Sequence, residues 1–366
     1  MIHLTLRILF LVCFFVITHI KGSFAFASLP ESGGKNYQIL FGESYIDFLP
    51  GTLNRMDVIF KNRESVNLKL SQELVILDSA RVKVWKTIIN LELVPDERSV
   101  IQLMIPVPKN PGRFIITSGG AADQSSEAIP SHTFNVIEPK KSPRLTKILA
   151  HSPDFEEGLN DFIKLWGIKA PTISWAQVLL CGKESLKRFS EGEPVITQLI
   201  ARSLRREMSV IFIDVDKQDT KSFQSPVNLP YGITMSFIPV KSQEQSFVLK
   251  PDLDELNYGL LSGPISRWNG YGGIIVPATE MRFEGKGVKI NALATVGANP
   301  VRFPVVEIIP ENGKGKLYLS QLITAGRLDE SAPPMRYKHE IPVYDPMAVQ
   351  FLLNLISASV GDNLLK

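Results

Sequence analysis

Residues 176–215 read AQVLLCGKESLKRFSEGEPVITQLIARSLRREMSVIFIDV, and this stretch decides the fold class of the protein. Two short apolar runs, 176–180 and 210–215, flank a segment whose apolar residues recur at helical spacing. Short continuous apolar runs are typical of buried strands, and Pro194 suits the first turn of a helix over 193–207. The stretch therefore predicts a strand, a helix and a second strand.

The residues before this stretch repeat the same rhythm. One helical face of 154–166 carries Phe155, Leu159, Phe162, Ile163 and Trp166. We expect Asp154 to cap this helix and Gly167 to end it. A strand over 147–150 completes a β-α-β-α-β pattern, which predicts a doubly wound parallel sheet with right-handed crossovers.

The residues after the stretch predict further strands and a closing helix. The strands are expected at 233–240, 245–249, 273–276, 290–296, 304–309 and 316–322. Residues 346–360 predict an apolar helix that docks on the domain. Gln350, Asn354 and Ser357 interrupt its apolar surface, which argues against a membrane span.

The first half of the chain has a different sequence pattern: short segments in which apolar and polar residues alternate are separated by polar turns. The strands are expected at 56–60, 66–70, 74–77, 82–93, 100–107, 114–117 and 133–137. About seven such strands predict an immunoglobulin-like β-sandwich. The sequence EPKKSP at 138–143 predicts a linker, so that the sandwich spans 28–137 and the α/β domain spans 144–366.

Residues 1–27 read as a signal peptide. Arg7 provides a basic start, 8–20 is an apolar run, and Ala25-Phe26-Ala27 fits a cleavage site before Ser28. The protein is therefore expected to be exported, to the periplasm, the cell surface or the extracellular space. The alternative is an uncleaved membrane anchor, which the short apolar run disfavours.

Composition narrows the possible partners. The chain has 366 residues and a net charge of +3 from 40 basic and 37 acidic residues. A charge this close to zero argues against a nucleic-acid-binding protein, which needs a basic face. Cleavage of the signal peptide leaves Cys181 as the one cysteine, so no intrachain disulfide is expected. Cys181 ends an apolar run, which favours a buried thiol over a reactive one.

Several motifs of the second half carry a family resemblance. They are SFVLKPD at 246–252, LLSG at 260–263, ISRWNG at 265–270, GKGKLYLSQL at 313–322 and YDP at 344–346. Residues 144–366 resemble the class I glutamine-amidotransferase-like (flavodoxin-like) domain. The resemblance is to its version at the C-terminus of some secreted glycoside hydrolase family 2 β-galactosidase-type proteins. A preceding β-sandwich fits those proteins, but their catalytic barrel of about 250 residues does not fit in this chain.

The resemblance implies a lost nucleophile. An active domain needs a glycine-flanked cysteine on a sharp turn after the third buried strand. That strand is 210–213 here, and Asp214-Val215-Asp216-Lys217 follows it. The family's histidine and acid fall just before the last helix, where His339-Glu340 stands.

Three sets of residues remain as candidate sites. Cys181 with His339 and Glu340 would form a hydrolase site, against the alternative of a core thiol and a surface pair. Asp214 and Asp216 would form a metal site, although alternate acids also cap turns. The third set is a loop that would bind a ligand through the side chains Arg267, Trp268, Asn269 and Tyr271, unless Trp268 pins this loop to the core.

The sequence as a whole predicts an exported, non-catalytic binding or scaffolding protein with a degenerate amidotransferase-like domain. No cofactor is expected, and the expected partner is a carbohydrate or another envelope protein. Two alternatives stay open. One is a hydrolase that uses Cys181 or a metal at Asp214 and Asp216, and the other is a surface assembly protein that acts through the β-sandwich.

Overall fold

A computed structural model describes residues 36–41, 47–118, 131–154, 158–216, 226–260, 265–266, 268–269, 273–297, 300–311, 315–329 and 344–361. The signal peptide lies outside these residues, as do Arg267, Tyr271, His339 and Glu340. Within the described part, no helix is both long enough and apolar enough to cross a membrane.

The first half is built of strands alone. They are β1 (Tyr37–Phe41), β2 (Asp47–Phe48), β3 (Leu53–Asn62), β4 (Leu68–Leu77), β5 (Lys83–Leu93), β6 (Arg98–Pro106), β7 (Gly112–Ser118) and β8 (Ser131–Val136). They form one sheet of order β1-β3-β6 and another of order β2-β8-β7-β4-β5. The expected strands are confirmed, except that 66–70 and 74–77 belong to one continuous strand, β4.

The core of this half lies between the two sheets. Met56, Val58 and Phe60 alternate along β3 with more exposed residues and are fully buried. They meet Leu74 and Phe134 of the other sheet in one apolar cluster. Because side chains alternate along β3, one face of the strand is buried and the other faces solvent, as in a β-sandwich.

The second half mixes helices and strands. Its helices are α1 (Leu159–Leu165), α2 (Lys183–Ser190), α3 (Pro194–Arg205), α4 (Asp254–Asn257) and α5 (Pro346–Ser359). Its strands are β9 (Ala150–His151), β10 (Val178–Cys181), β11 (Ser209–Phe212), β12 (Val227–Leu229), β13 (Ile233–Pro239), β14 (Ser246–Leu249), β15 (Ile265–Ser266), β16 (Thr279–Glu284), β17 (Val288–Val296), β18 (Arg302–Pro310) and β19 (Leu317–Ser320).

An eight-stranded mixed sheet organises this half, in the order β15-β14-β17-β18-β19-β11-β10-β9. The strands β9, β10, β11 and β19 run parallel. A parallel bridge from Lys169 to Ala150 adds a further chain segment beyond β9. The strands from β19 to β15 pair antiparallel. Parallel pairing is therefore confined to one half of the sheet, and a separate small sheet holds β12, β13 and β16.

Apolar layers cover both faces of the parallel strands. Along β10, Val178 and Leu180 pack in the cluster that contains α1 and α5. Leu179 and Cys181 pack in the opposite cluster, with α2 and α3. Because both faces are covered, nearly every residue of the parallel strands is apolar, and their sequences read as continuous apolar runs.

Some local predictions are wrong. Residues 273–276 form no strand, although Val276 makes an isolated bridge to Glu244. Of the strand expected at 147–150 only Ala150 belongs to a strand, β9; Lys147 ends a 3₁₀ turn, Leu145–Lys147, and residues 148–149 are irregular. The predicted linker packs against α5, where the Lys140 backbone exchanges two hydrogen bonds with Gln350. The domain boundary itself stays a prediction.

Candidate functional site

The carboxyl ends of the parallel strands lie side by side and form the natural place for a site. Asp154 follows β9, Gly182 follows β10, and Asp214 follows β11. Sheets of this kind bind ligands in the crevice beyond these strand ends. We call this region the carboxyl edge. Its polar groups are bonded mainly to one another.

Asp154 closes the end of the edge next to β10. Its carboxylate accepts hydrogen bonds from Gly182 N at 2.7 Å and from Ser185 Oγ at 2.6 Å. Asp154 thus caps α2, and the prediction that it caps the helix over 154–166 is wrong, because α1 begins only at Leu159, after Gly158. A helix N-terminus attracts anions, and here a buried carboxylate of the chain already occupies it.

Cys181 is the last residue of β10, and its side chain has no exposed surface. The prediction of a buried thiol is confirmed. The side chain faces the cluster that contains α2 and α3, among apolar neighbours such as Leu179 and Phe212. Its proposed partners His339 and Glu340 lie outside the described residues.

Asp214 follows β11, the strand after which the sequence pattern placed the nucleophile of the resemblance. With the segment at Lys169 counted, β11 is the fourth parallel strand and not the third, so that count is wrong. The φ of Asp214, 55°, is left-handed, which is uncommon for a residue other than glycine. Its carboxylate accepts from Thr324 N at 2.5 Å, Thr324 Oγ1 at 2.9 Å and Ala325 N at 3.2 Å. Burial raises the pKa of Asp214, while these hydrogen bonds and Arg327 oppose the rise. The side chain therefore holds the turn after β19.

Asp216 bonds to a different partner. Its Oδ1 accepts from Thr279 Oγ1 at 2.6 Å, and Gln321 Nε2 donates to the same hydroxyl at 3.1 Å. The structure thus directs Asp214 and Asp216 to separate elements. Across the described ranges, no three His, Cys, Asp or Glu side chains are grouped as a metal site.

Trp268, predicted either to stack on a ligand or to pin its loop, lies in the core. Its indole has no exposed surface. The ring centroids of Phe247 and Phe351 are 5.7 and 6.0 Å away, and the Arg327 guanidinium lies 5.7 Å from the ring. A sugar has no face of this ring to stack on, so the ligand-platform interpretation of Trp268 is wrong and the alternative of a pinned loop holds.

Asn269 joins the two halves of the protein rather than facing solvent. Its Nδ2 donates to Asp47 O at 2.6 Å and to Tyr344 O at 3.0 Å, and its Oδ1 accepts from Asp47 N at 3.1 Å. Its backbone N–H donates to Asp345 Oδ2 at 2.5 Å. Arg327 Nε donates to its carbonyl at 2.7 Å.

These contacts define a buried polar group that we call the junction cluster. Its members are Asp47, Asn135, Asn269, Arg327 and Asp345, all at most 6% exposed. No sequence motif marks Asp47, Asn135 or Arg327 as a functional candidate. Asp345 stands before Pro346, a pattern typical of a helix start, whereas nothing in the sequence marks its contact with the sandwich.

A mainly apolar cleft of about 320 Å³ opens beside this cluster, lined by Leu49, Leu165, Trp166, Leu328 and Tyr344. Leu49 follows β2 of the sandwich, while the other four residues belong to the second half. Clefts between structural units are common places for small ligands. This cleft is a better candidate for a ligand than the buried Trp268.

Comparison with known proteins gives little. No known protein family matches the sequence, and no curated protein matches it. A β-glucosidase of Listeria innocua in complex with gluconolactone matches with a TM-score of 0.23 and 12% identity, over 27% of this chain and 16% of that one. A β-glucosidase of Erythrobacter marinus has a TM-score of 0.23 and 16% identity, over 28% and 16%.

An alkylpurine DNA glycosylase of Pseudomonas fluorescens has a TM-score of 0.20 and 10% identity, over 27% of this chain and 30% of that one. All three solved structures are thus covered over less than a third of their own length. Similarities this weak carry no argument about fold or function.

Proposed function

We propose that this is an exported, non-catalytic binding or scaffolding protein in which a degenerate amidotransferase-like domain follows an immunoglobulin-like sandwich. The observation that carries the proposal is the burial of both candidate nucleophile positions. With the segment at Lys169 counted, the third parallel strand is β10, which ends at the fully buried Cys181. Asp214 follows the fourth, β11, and its carboxylate is buried and bonded to Thr324 and Ala325.

The strand order supports the immunoglobulin-like part of the proposal. One sheet holds the first, third and sixth strands, which correspond to A, B and E of that fold. The other holds the eighth, seventh, fourth and fifth strands, which correspond to G, F, C and C′. The short β2 runs parallel to β8 as an additional edge piece.

The order of the parallel strands supports the flavodoxin-like part. In chain order β9 comes first, the segment at Lys169 second, and β10, β11 and β19 follow. Across the sheet they stand as 2-1-3-4-5, the order of flavodoxin-like folds. The antiparallel strands β18, β17 and β14 extend this arrangement on the far side.

The backbone at Asp214 supports the loss of catalysis. Enzymes that carry a nucleophile on a strand-to-helix turn hold that residue in a strained conformation, so that its reactive atom is exposed. Asp214 has the positive φ, but its side chain is 8% exposed and accepts three hydrogen bonds. A carboxylate fixed in this way stabilises a turn and presents no reactive atom to a substrate.

The sequence supports the proposed location and partner. Residues 1–27 have the order of a signal peptide, which supports export to the periplasm, the cell surface or the outside. The resemblance to β-galactosidase-type proteins supports a carbohydrate-linked role. The proposed partner is therefore a carbohydrate or another protein of the envelope.

One observation favours a second candidate, a surface assembly protein that acts through the sandwich. Strands β5 and β6 each end a sheet and expose large apolar side chains: Val84, Ile88, Val100 and Met104 are 45 to 59% exposed. An apolar surface at sheet edges suits contact with another protein.

The experiment that tests the proposal compares the wild type with Cys181→Ala. We expect neither protein to hydrolyse glutamine or aryl glycosides above the buffer rate. We also expect Cys181 to react with a thiol reagent only after denaturation. Hydrolysis by the wild type that Cys181→Ala abolishes without changing the unfolding midpoint would overturn the non-catalytic proposal.

The binding part is tested separately, by co-sedimentation of the exported protein with insoluble polysaccharides. Retention on at least one polysaccharide supports the carbohydrate-linked role. Failure on all of them, together with cross-linking to an envelope protein through β5 or β6, supports the assembly candidate instead.

A further inference from the structure

Two acidic side chains meet inside the junction between the sandwich and the second half. Asp47 lies on β2 of the sandwich, and Asp345 immediately precedes α5. Their exposed fractions are 1% and 0%. Both residues bond to Asn269, whose side chain pairs with the Asp47 backbone and whose N–H donates to Asp345 Oδ2. This shared partner places the two carboxyl groups next to each other. Two ionised carboxylates cannot hydrogen-bond to each other, so a contact of this kind needs a proton on one of them.

Asp345 has the surroundings of an ionised carboxylate. Its Oδ1 accepts from the backbone N–H groups of Met347 at 2.7 Å and Ala348 at 2.9 Å. Its Oδ2 accepts from the backbone N–H of Asn269 at 2.5 Å. These donors cannot rotate away, and the N-terminus of α5 adds a partial positive charge. Burial raises the pKa of Asp345, and the donors and Arg327 oppose that rise.

Asp47 has the surroundings of a neutral acid. Its Oδ1 accepts from Asn135 Nδ2 at 2.7 Å. Its Oδ2 is buried and meets no donor among the described residues. Burial and the charge of Asp345 raise the pKa of Asp47 well above its usual range, against a smaller opposing effect of Asn135 and Arg327. If Asp47 were ionised, its buried Oδ2 would lack a hydrogen-bond partner. If Asp47 is protonated on Oδ2, that oxygen can donate a hydrogen bond.

We propose that Asp47 is a neutral acid that donates a hydrogen bond to ionised Asp345, and that this proton latches the sandwich to the second half. Loss of the proton places two negative charges in contact inside the junction. The charges that act on Asp47 within the described part of the chain are those of Asp345 and Arg327. Arg327 also donates to the Asn269 carbonyl, so it supports the latch from the side opposite the sandwich.

The sign of the pH dependence follows from linkage. A group that holds its proton more tightly in the folded state stabilises that state while the proton is bound. The stabilisation is complete below the unfolded pKa of Asp47 and is lost as the pH rises through its raised, folded pKa. Between these two pKa values the folding constant falls by up to about tenfold per pH unit for one proton, and above the folded pKa it stays level.

Two isosteric variants distinguish the two carboxyls. In Asp47→Asn the amide keeps an oxygen for Asn135 and gives Asp345 the same donor without a titratable proton. In Asp345→Asn the amide nitrogen must face a backbone N–H of Asn269, Met347 or Ala348. Two hydrogen-bond donors then point at each other, and neither has an acceptor. The matched control is Asp252→Asn, the same chemical change at an exposed carboxylate paired with Lys250.

The experiment measures urea unfolding of the full chain against pH for these proteins, with the radius of gyration from small-angle scattering. We expect the wild type and Asp252→Asn to lose stability as the pH rises from the unfolded towards the folded pKa of Asp47, and to expand above the folded pKa. We expect Asp47→Asn to lose that dependence, and Asp345→Asn to be destabilised at every pH. The infrared carbonyl stretch of a protonated carboxyl should be present in the wild type and absent in Asp47→Asn.

The outcomes are decisive in both directions. An alkaline loss of stability in Asp47→Asn equal to that of the wild type overturns the latch. A protonated-carboxyl band that vanishes in Asp345→Asn but persists in Asp47→Asn overturns the assignment of the proton. Loss of stability without expansion would show that Asp47 titrates but does not hold the two halves together, and this too overturns the proposal.

Discussion

Replacing Trp268 with alanine should remove a large share of the stability of the second half. Its indole is fully buried between Phe247, Phe351 and Arg327. A buried tryptophan covers about 150–250 Å², which at about 25 cal/mol per Å² is worth roughly 4–6 kcal/mol. Core aromatic-to-alanine changes cost about 3–5 kcal/mol, so we expect a loss of about 4 kcal/mol.

The assay is chemical denaturation followed by near-ultraviolet circular dichroism, supported by the thermal midpoint. For a domain of this size 1 kcal/mol shifts the midpoint by about 2–4 °C, so Trp268→Ala should lower it by roughly 10 °C. The matched control is Trp175→Ala, because Trp175 is 67% exposed. The control should change stability by about 0.5 kcal/mol or less.

The reasoning fails if Trp268→Ala costs less than about 1 kcal/mol, or no more than Trp175→Ala, since the indole would then not be a core residue. A small stability change combined with lost polysaccharide binding would restore the ligand-platform interpretation of the loop.

Three further changes have distinct expected results. Cys181→Ala should cost on the order of 1 kcal/mol, measured by urea unfolding, and it should leave binding unchanged. Gly315→Ala should cost about 1–3 kcal/mol, because the new Cβ would lie 2.5 Å from the Met208 carbonyl oxygen; Gly361→Ala, with nothing within 4 Å, is its control. Asp154→Ala should cost about 0.5–2 kcal/mol by uncapping α2, and hydrogen exchange should increase in the first turn of that helix but not in α3. Equal exchange in both helices would contradict the capping role.

Strands that bury one or both faces could be predicted from the sequence, because their side-chain period is set by local geometry. Examples are β3, β10 and β11, whose positions agree with expectation to within a few residues. The helix α2 was missed because only two of its eight residues, Leu186 and Phe189, are apolar. The N-terminus of α2 is held by Asp154, which lies 29 positions before Lys183 in the chain.

The contacts of the candidate site also join residues that are far apart in the sequence, so they were harder to predict than the strands. The position of Asp214 directly after a buried strand could be predicted, because the apolar run at 210–213 marks that strand. Sequence reasoning could not show that Thr324, over a hundred residues later, would bond the carboxylate. Nor could it bring Asp47 to Asp345, since that contact depends on how two structural units dock, which no local pattern encodes.

The burial of α5 has a consequence for the order in which this chain can fold. Thirteen of its fourteen residues are buried, and its partners come from distant parts of the chain, such as Lys140, Leu256 and Ser209. A growing chain that lacks α5 therefore exposes a broad apolar surface of the sheet. Such surfaces bind chaperones and aggregate. The second half can reach its native state only after synthesis has passed Ser359, so its folding is a late, whole-chain event rather than a stepwise one.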